Sequence, residues 1–190
     1  MTSSDDASAA EPFHRRIVMI SGAPGVGKTT IARPLARALG LPLFAKDGIK
    51  ERMHDVLAEN GPVDLTWSRR LGAASMELLW LLAADAPGCV LEANFWHGHE
   101  QQNASLRELS TGGTLVEVYC TAPHEEIIRR FRARQASGER HAVHPDHEFT
   151  PDYWDRNFGK PIGIGQVVEL DTSVPVDVAG LAATVRALLA

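Results

Sequence analysis

The octapeptide Gly22-Ala23-Pro24-Gly25-Val26-Gly27-Lys28-Thr29 has the spacing G-x-x-x-x-G-K-[ST] of a phosphate-binding loop. Its glycines allow a tight turn and let the backbone approach an anion without a Cβ in the way. The loop amides and the N-terminus of a following helix then point donors at phosphate. Lys28 supplies a mobile positive charge for the outer phosphates, Thr29 a hydroxyl for Mg²⁺, and Thr30 continues the cradle. The chemistry implied is a grip on a nucleoside triphosphate tail followed by attack on its terminal phosphorus.

Such chemistry needs further groups. Asp47, just after a short apolar run, is placed to orient and deprotonate an attacking hydroxyl, although Asp also favours a helix N-cap. Lys46, Lys50 and Arg52 lie around it as substrate contacts or a solvated face, and Lys50 reads as solvated. Glu92 ends another apolar run and is a candidate to hold Mg²⁺ with Thr29; Asn94 and His97, with Trp96 and His99 nearby, suit a polar acceptor pocket with an aromatic wall. Farther on come Arg129, Arg130, Arg132 and Arg134, then Arg140. Arginine suits bidentate phosphate contact and the charge that develops as a phosphoryl group moves. Arg132 is assigned to that charge, Arg129 and Arg130 to the nucleotide, and Arg134 and Arg140 to the acceptor, against the alternative of an ordinary exposed helix face. His141, His144 and His147 have the spacing H-x2-H-x2-H; without a fourth ligand type nearby they read as a lid or substrate loop ahead of a zinc site. Asp171-Thr172-Ser173 and Pro175 are candidates to border a base.

These residues are useful only if the chain brings them together, and its periodicities say how. Apolar runs at about Arg16–Ser21, Leu43–Lys46, Cys89–Leu91, Thr114–Cys120 and Val167–Leu170 read as five strands. Between them lie helical patterns: from the loop to about Leu39, stopped by Gly40; from Asp47 to about Glu59, ended by Asn60-Gly61-Pro62; and a long one capped by Thr66. In the long helix Trp67, Leu71, Leu78 and Leu82 line one face, widened by Trp80 and Leu81. Others span Glu100–Leu109, the Thr121-capped arginine helix, a short piece near Pro151–Asn157, and a terminal helix marked by Val178, Leu181, Val185 and Leu188. Pro34 falls inside the first helix and predicts a kink. Alternating strands and helices imply an α/β fold: a three-layer αβα arrangement on a five-stranded parallel sheet, with ligands at the C-terminal strand ends.

The chain has 190 residues, 44% of them hydrophobic, room for one domain with a substantial core. Its net charge of −5 argues against a nucleic-acid surface. Cys89 and Cys120 sit in apolar runs and read as core thiols of a reducing compartment, so a cytoplasmic location is expected. No apolar run reaches membrane-spanning length. Residues 1–13 read as a disordered tail ahead of a domain over 14–190, with a lid at about 129–150.

The loop and the order of elements resemble the P-loop small-molecule kinases, among them chloramphenicol phosphotransferase, zeta toxin, and gluconate and shikimate kinases. That resemblance implies a nucleoside/shikimate kinase-like fold with ATP as donor and Mg²⁺ as cofactor. It also implies a catalytic acid after strand two, matching Asp47, and lid arginines that close on phosphate, matching Arg129 to Arg140. Arg129 or Arg130 with Pro175 would flank the adenine. Glu92 departs from the Asp that many relatives carry. The expected function is transfer of the γ-phosphate to a hydroxyl of a small molecule such as an antibiotic, nucleoside, sugar or metabolite, by a monomer or homodimer. The alternatives are an ATPase or nucleotide switch and, against the acidic balance, a polynucleotide-end kinase.

Overall fold

A computed structural model describes residues 14–58, 64–138, 140–144 and 150–190. The expected N-terminal tail, the Asn60–Pro62 helix stop and His147 lie outside the described residues. Strands β1 (Arg15–Ser21), β2 (Leu43–Ala45), β3 (Gly88–Glu92), β4 (Gly113–Thr121) and β5 (Gln166–Asp171) form one sheet in the order β2-β3-β1-β4-β5. Every neighbouring pair is parallel. The helices are α1 (Lys28–Leu39), α2 (Lys46–Leu57), α3 (Leu65–Asp85), α4 (Glu100–Ser110), α5 (His124–Ala136), α6 (Pro151–Phe158) and α7 (Val178–Leu188).

Strand β1 is central and covered on both faces. Val18 and Ile20 join the core that includes Ile31 and Leu35 of α1 and Leu181 and Val185 of α7. Ile17 and Met19 point the other way, into the core that includes Leu79 of α3 and Leu106 of α4. A strand buried on both sides is therefore a continuous apolar run, which is how β1 reads. Cys89 and Cys120 are buried free thiols, and burial pushes each up to about 12.

Helix α1 runs unbroken across Pro34, which is exposed, so the unbonded Thr30 carbonyl faces the solvent side. Gly40 ends α1 in the left-handed conformation, with φ 68°, and donates its N–H to the last-turn carbonyls. Three expectations need correction. Asp64, not Thr66, caps α3, accepting from Trp67 N at 2.7 Å. Pro123, not Thr121, occupies the N-cap of α5, because Thr121 is still paired in β4. The buried face of α3 is Ser68, Leu71, Ser75, Leu79 and Ala83, while Leu78, Leu81 and Leu82 are exposed. Leucines surround that helix, so apolar spacing alone did not say which stripe meets the sheet; two small serines allow the close approach.

One buried acid ties the sheet to the loop before β5. Glu117 of β4 is fully buried and accepts from the Ser21 hydroxyl and from Ile162 N and Gly163 N, both at 2.9 Å. Ser21 directly precedes the phosphate-loop motif, so this carboxylate anchors the loop's origin. Replacing it leaves the buried Ser21 hydroxyl and the amides of Ile162 and Gly163 without their acceptor. Glu117→Leu should therefore lower the unfolding free energy by about 3 kcal/mol or more in urea denaturation. A variant with an unchanged midpoint and slope would show that the anchor contributes nothing.

Candidate active site

The loop between β1 and α1 is shaped by its glycines. Gly22, Gly25 and Gly27 have φ of 123°, 86° and 106°. A Cβ on Gly22 would collide with the Cys120 carbonyl of β4, so the loop crosses the sheet too closely for a side chain there. Gly27 is the left-handed N-cap of α1, with no side-chain cap bond and no acid in the first turn. The positive end of the helix thus meets no carboxylate of its own first turn. Lys28 is buried and donates to the carbonyls of Gly22 and Ala23 at 2.8 and 2.9 Å. Burial lowers its pKa, and the nearby negative charges, Glu92 foremost, work against that.

Two carboxylates stand at neighbouring strand ends. Glu92, the last residue of β3, is buried and lies 3.3 Å from the Thr29 hydroxyl, which donates to it. Burial raises its pKa, against the pull of Lys28. Asp47 follows β2 in the first turn of α2, whose N-cap is Ala45; the cap role open to Asp47 on sequence is therefore not used. Its carboxylate instead accepts from Lys46 Nζ at 2.9 Å. Burial pushes its pKa up, but Lys46, His144 and Lys28 outweigh that and hold it at about 2.

The wall after β4 is cationic, and the structure sorts its arginines. Arg130 Nε donates to Glu126 at 2.6 Å, while its terminal nitrogens donate to the Thr172 carbonyl at 2.8 Å and the Val26 carbonyl at 3.3 Å. The Thr172 hydroxyl also donates to Val26 O at 2.6 Å, so Arg130 and Thr172 together clamp the phosphate loop from above β5. Arg134 and Arg140 line the same cleft, and Arg140 lies over the Phe131 ring, 5.3 Å from its centre. Arg129 is drawn out to Glu126 and exposed; Arg132 is exposed and outside the cleft. Of the segment expected to border a base, Thr172 does the clamping, whereas Pro175 is exposed and stands outside the cleft.

The segment after α5 reaches across to α2. His141 Nε2 is 2.9 Å from Asp55, and His144 Nε2 is 2.9 Å from Glu51. Burial lowers the His144 pKa, against the raising effect of the Asp47 and Glu51 carboxylates. Each imidazole thus spends a nitrogen on a carboxylate of α2, and among the described residues no His, Cys, Asp and Glu group forms a metal cage.

The resulting cleft, about 400 Å³, is lined by the phosphate loop, Asp47, Glu92 and Asn94, with Arg130, Arg134 and Arg140 on the other side. A larger, more open groove of about 780 Å³ adjoins it, sharing Pro24, Lys46 and Asn94, with Trp96, His99 and Tyr153 on its walls. His97 is elsewhere: its Nδ1 and its backbone N both meet the Asn157 carbonyl, at 3.0 and 3.3 Å, so it braces α6 and leaves His99 to face the groove. Lys50 corrects the sequence reading. It is buried in the cleft and donates to Ser68 Oγ of α3 at 2.8 Å. Its position one turn beyond Lys46 placed it on the Asp47 face, but only the packing of α3 on α2 removes it from water. Ser68, Phe131 and Gln135 also line the cleft and carried no sequence signal.

The fold recurs in known proteins. A presumed kinase from Chloroflexus aurantiacus J-10-fl shares the fold with a TM-score of 0.78 and 28% identity, over 93% of this chain and 99% of that one. The APS kinase of Mycobacterium tuberculosis, solved with AMPPNP and APS, superposes with a TM-score of 0.57 at 19% identity, over 94% of this chain and 99% of that one. An uncharacterised protein of Mycobacterium tuberculosis is 26% identical over 129 residues, 63% of this chain. The match spans about a quarter (26%) of the length of that relative. The model of the AAA_33 family, described as an AAA domain, matches residues 17–150, from β1 through the phosphate loop and the arginine helix. On that match, which takes in the phosphate loop and the sheet from β1 to β4, the chain belongs to the AAA_33 family of AAA domains.

Proposed function

We propose that this chain, as a single kinase domain over residues 14–190, transfers the terminal phosphoryl group of ATP to a hydroxyl of a small molecule. The observation that carries this reading is the convergence of Lys28, the Thr29–Glu92 pair and Asp47 in one cleft walled by arginines. The kinase-like fold, and an APS kinase of that fold solved with AMPPNP, support a nucleotide in the cleft.

The loop amides and Lys28 bind the triphosphate. A hard cation fits beside them: a hydroxyl and a carboxylate oxygen 3.3 Å apart suit Mg²⁺, which takes one or two protein oxygens alongside phosphate and water. Thr29 and Glu92 would hold it, and when bound it neutralises charge on the phosphates. Asp47, ionised throughout the physiological range, accepts a hydrogen bond from the acceptor hydroxyl and aims its oxygen at the terminal phosphorus. A new P–O bond forms as the bond to the bridging oxygen breaks and ADP leaves. The hydroxyl proton passes to Asp47 and then to water. A carboxylate held at about 2 is a weak base, so its main contribution is orientation, as suits a loose transition state in which proton transfer is late. Arg130, Arg134 and Arg140 stabilise the charge on the moving group; this role passes to them from Arg132, which stands outside the cleft.

Residues 129–150 act as the lid, and its His141 and His144 contacts to α2 keep water from the phosphorus. The surroundings that suit this reaction are those of the cytoplasm, where buried thiols such as Cys89 and Cys120 stay reduced. Among the described residues no helix is long and apolar enough to cross a membrane.

Lys28→Ala and Asp47→Asn should each lower turnover by at least ~100-fold in an ADP-release assay with a productive acceptor found by mass spectrometry. Calorimetry should show Mg²⁺–AMPPNP uptake by the unaltered protein and its loss in Lys28→Ala. Absence of uptake would overturn the donor half of the reading, and ATP turnover indifferent to every hydroxyl compound would overturn the acceptor half. Removing both lid contacts, with Glu51→Ala and Asp55→Ala together, should speed amide exchange across residues 140–144 by ~10-fold. Unchanged exchange would mean that the two imidazole contacts do not hold the segment.

A further inference from the structure

Lys50 is the least expected charge in the molecule. It is 6% exposed, and its partner Ser68 is 3% exposed. Among the described residues its ammonium donates only to the Ser68 hydroxyl, at 2.8 Å. Neither nearby carboxylate is bonded to it: Asp47 accepts from Lys46 at 2.9 Å, and Glu51 is 2.9 Å from His144. An ammonium removed from water without a bonded carboxylate is unfavourable unless something else supplies negative charge. The local field makes this sharper. Burial, then the like charges of Lys46 and Arg140, bring Lys50 down to about 8, against Asp47 and Glu51. Near neutral pH it is still protonated.

Among the described residues the remaining donors at this point meet no acceptor. Lys50 keeps two N–H groups beyond the one given to Ser68. The Ser68 oxygen accepts from Lys50, which leaves its own O–H to donate, and among the described residues it donates to nothing else. Both residues line the cleft that holds Asp47. Three donors, two of them on the charged ammonium, in a buried corner where they meet no acceptor among the described residues, form a site for an oxyanion.

That corner is separate from the place of the triphosphate. The order β2-β3-β1-β4-β5 puts the phosphate loop after β1, in the middle. Arg130 and Arg134 belong to α5, beyond β4, on one side. Lys50 belongs to α2, after β2, and Ser68 to α3, which packs on α2, on the other. Asp47, proposed to hold the acceptor hydroxyl, is one turn from Lys50 on the same helix.

We propose that Lys50 and Ser68 form an anion subsite for the acceptor, so that the substrate is an alcohol carrying its own carboxylate, phosphate or sulfate. This rests on the reading of the chain as a kinase. The substrate hydroxyl takes the phosphoryl group from ATP, while the anionic group stays unchanged in the Lys50 corner and fixes which hydroxyl faces Asp47. Charge on the substrate then provides specificity, because an uncharged analogue would leave the buried ammonium unanswered.

The test separates subsite from nucleotide site. Mg²⁺–AMPPNP is titrated first, and failure to bind would count against the kinase reading alone. Inorganic phosphate is then titrated into the nucleotide-loaded protein, or into Lys28→Ala if no nucleotide binds, so that the loop does not take up the probe. The subsite predicts phosphate uptake that weakens by at least ~10-fold in Lys50→Gln, weakens in Ser68→Ala, and survives within a few-fold in Lys50→Arg, with AMPPNP affinity unchanged in all three. No phosphate uptake, or uptake equal in the unaltered protein and in folded Lys50→Gln, overturns it. Should Lys50→Gln fail to fold, Ser68→Ala decides by the same criterion. Matched acceptors supply the kinetic readout: hydroxy acids should exceed their amides in kcat/KM by at least ~10-fold, and Lys50→Gln should erase that preference through KM. A preference for the amides overturns the proposal as well.

Discussion

The close passage of the phosphate loop over the end of β4 is the constraint on which the rest depends. Gly22 crosses under the Cys120 carbonyl where no side chain fits. From there the loop is held by its own neighbours: Val26 O accepts from Thr172 and Arg130, and Ser21 is tied to Glu117. These are polar contacts in a region largely shielded from water, so each is strong when made and costly when broken. They fix the directions of the backbone amides before any ligand arrives, which is what anion recognition by a main chain requires.

The parallel sheet then distributes charge around that loop. Every strand ends on the same edge, so the residues after β2, β3, β4 and β5 converge there: Asp47, Glu92 at its own strand end, the arginine helix and Thr172. The strand order separates acids from arginines. Asp47 and Glu92 stand at the ends of β2 and β3 on one side of β1, while Arg130 and Arg134 come after β4 on the other. In the proposed transfer, the phosphoryl group would pass between the acids on one side and the cations on the other. The segment bearing Arg140, His141 and His144 bridges the two sides, joining α5 to α2.

Within the site, burial changes the meaning of residues whose types are unremarkable on sequence. Lys28 and Lys50 are both buried lysines, yet Lys28 bonds to main-chain carbonyls and Lys50, among the described residues, only to a hydroxyl. His97 and His99 are two residues apart, yet one braces α6 and the other faces the open groove. Arg129, Arg130 and Arg132 share a helix, but Glu126 and Thr172 direct only Arg130 onto the loop. In each set the residue type is the same and the neighbour brought by another element differs.

Much of this was present in the chain before folding. The G-x-x-x-x-G-K-[ST] spacing, the β-branched run before it and the helical spacing after it specify the loop, because glycine conformation, strand burial and helix periodicity are local properties. The alternation of elements specified a parallel three-layer sheet, and Asp47 and Glu92 could be singled out because strand ends are where ligands gather. The fold decided what local pattern does not contain. It chose the stripe of α3 that is buried, the arginine that turns inward, the histidine that is spent on a carbonyl, and the lysine that loses its water. Those outcomes depend on contacts between elements far apart in sequence, such as Lys50 with Ser68 and Arg130 with Thr172, and no spacing within one element encodes them.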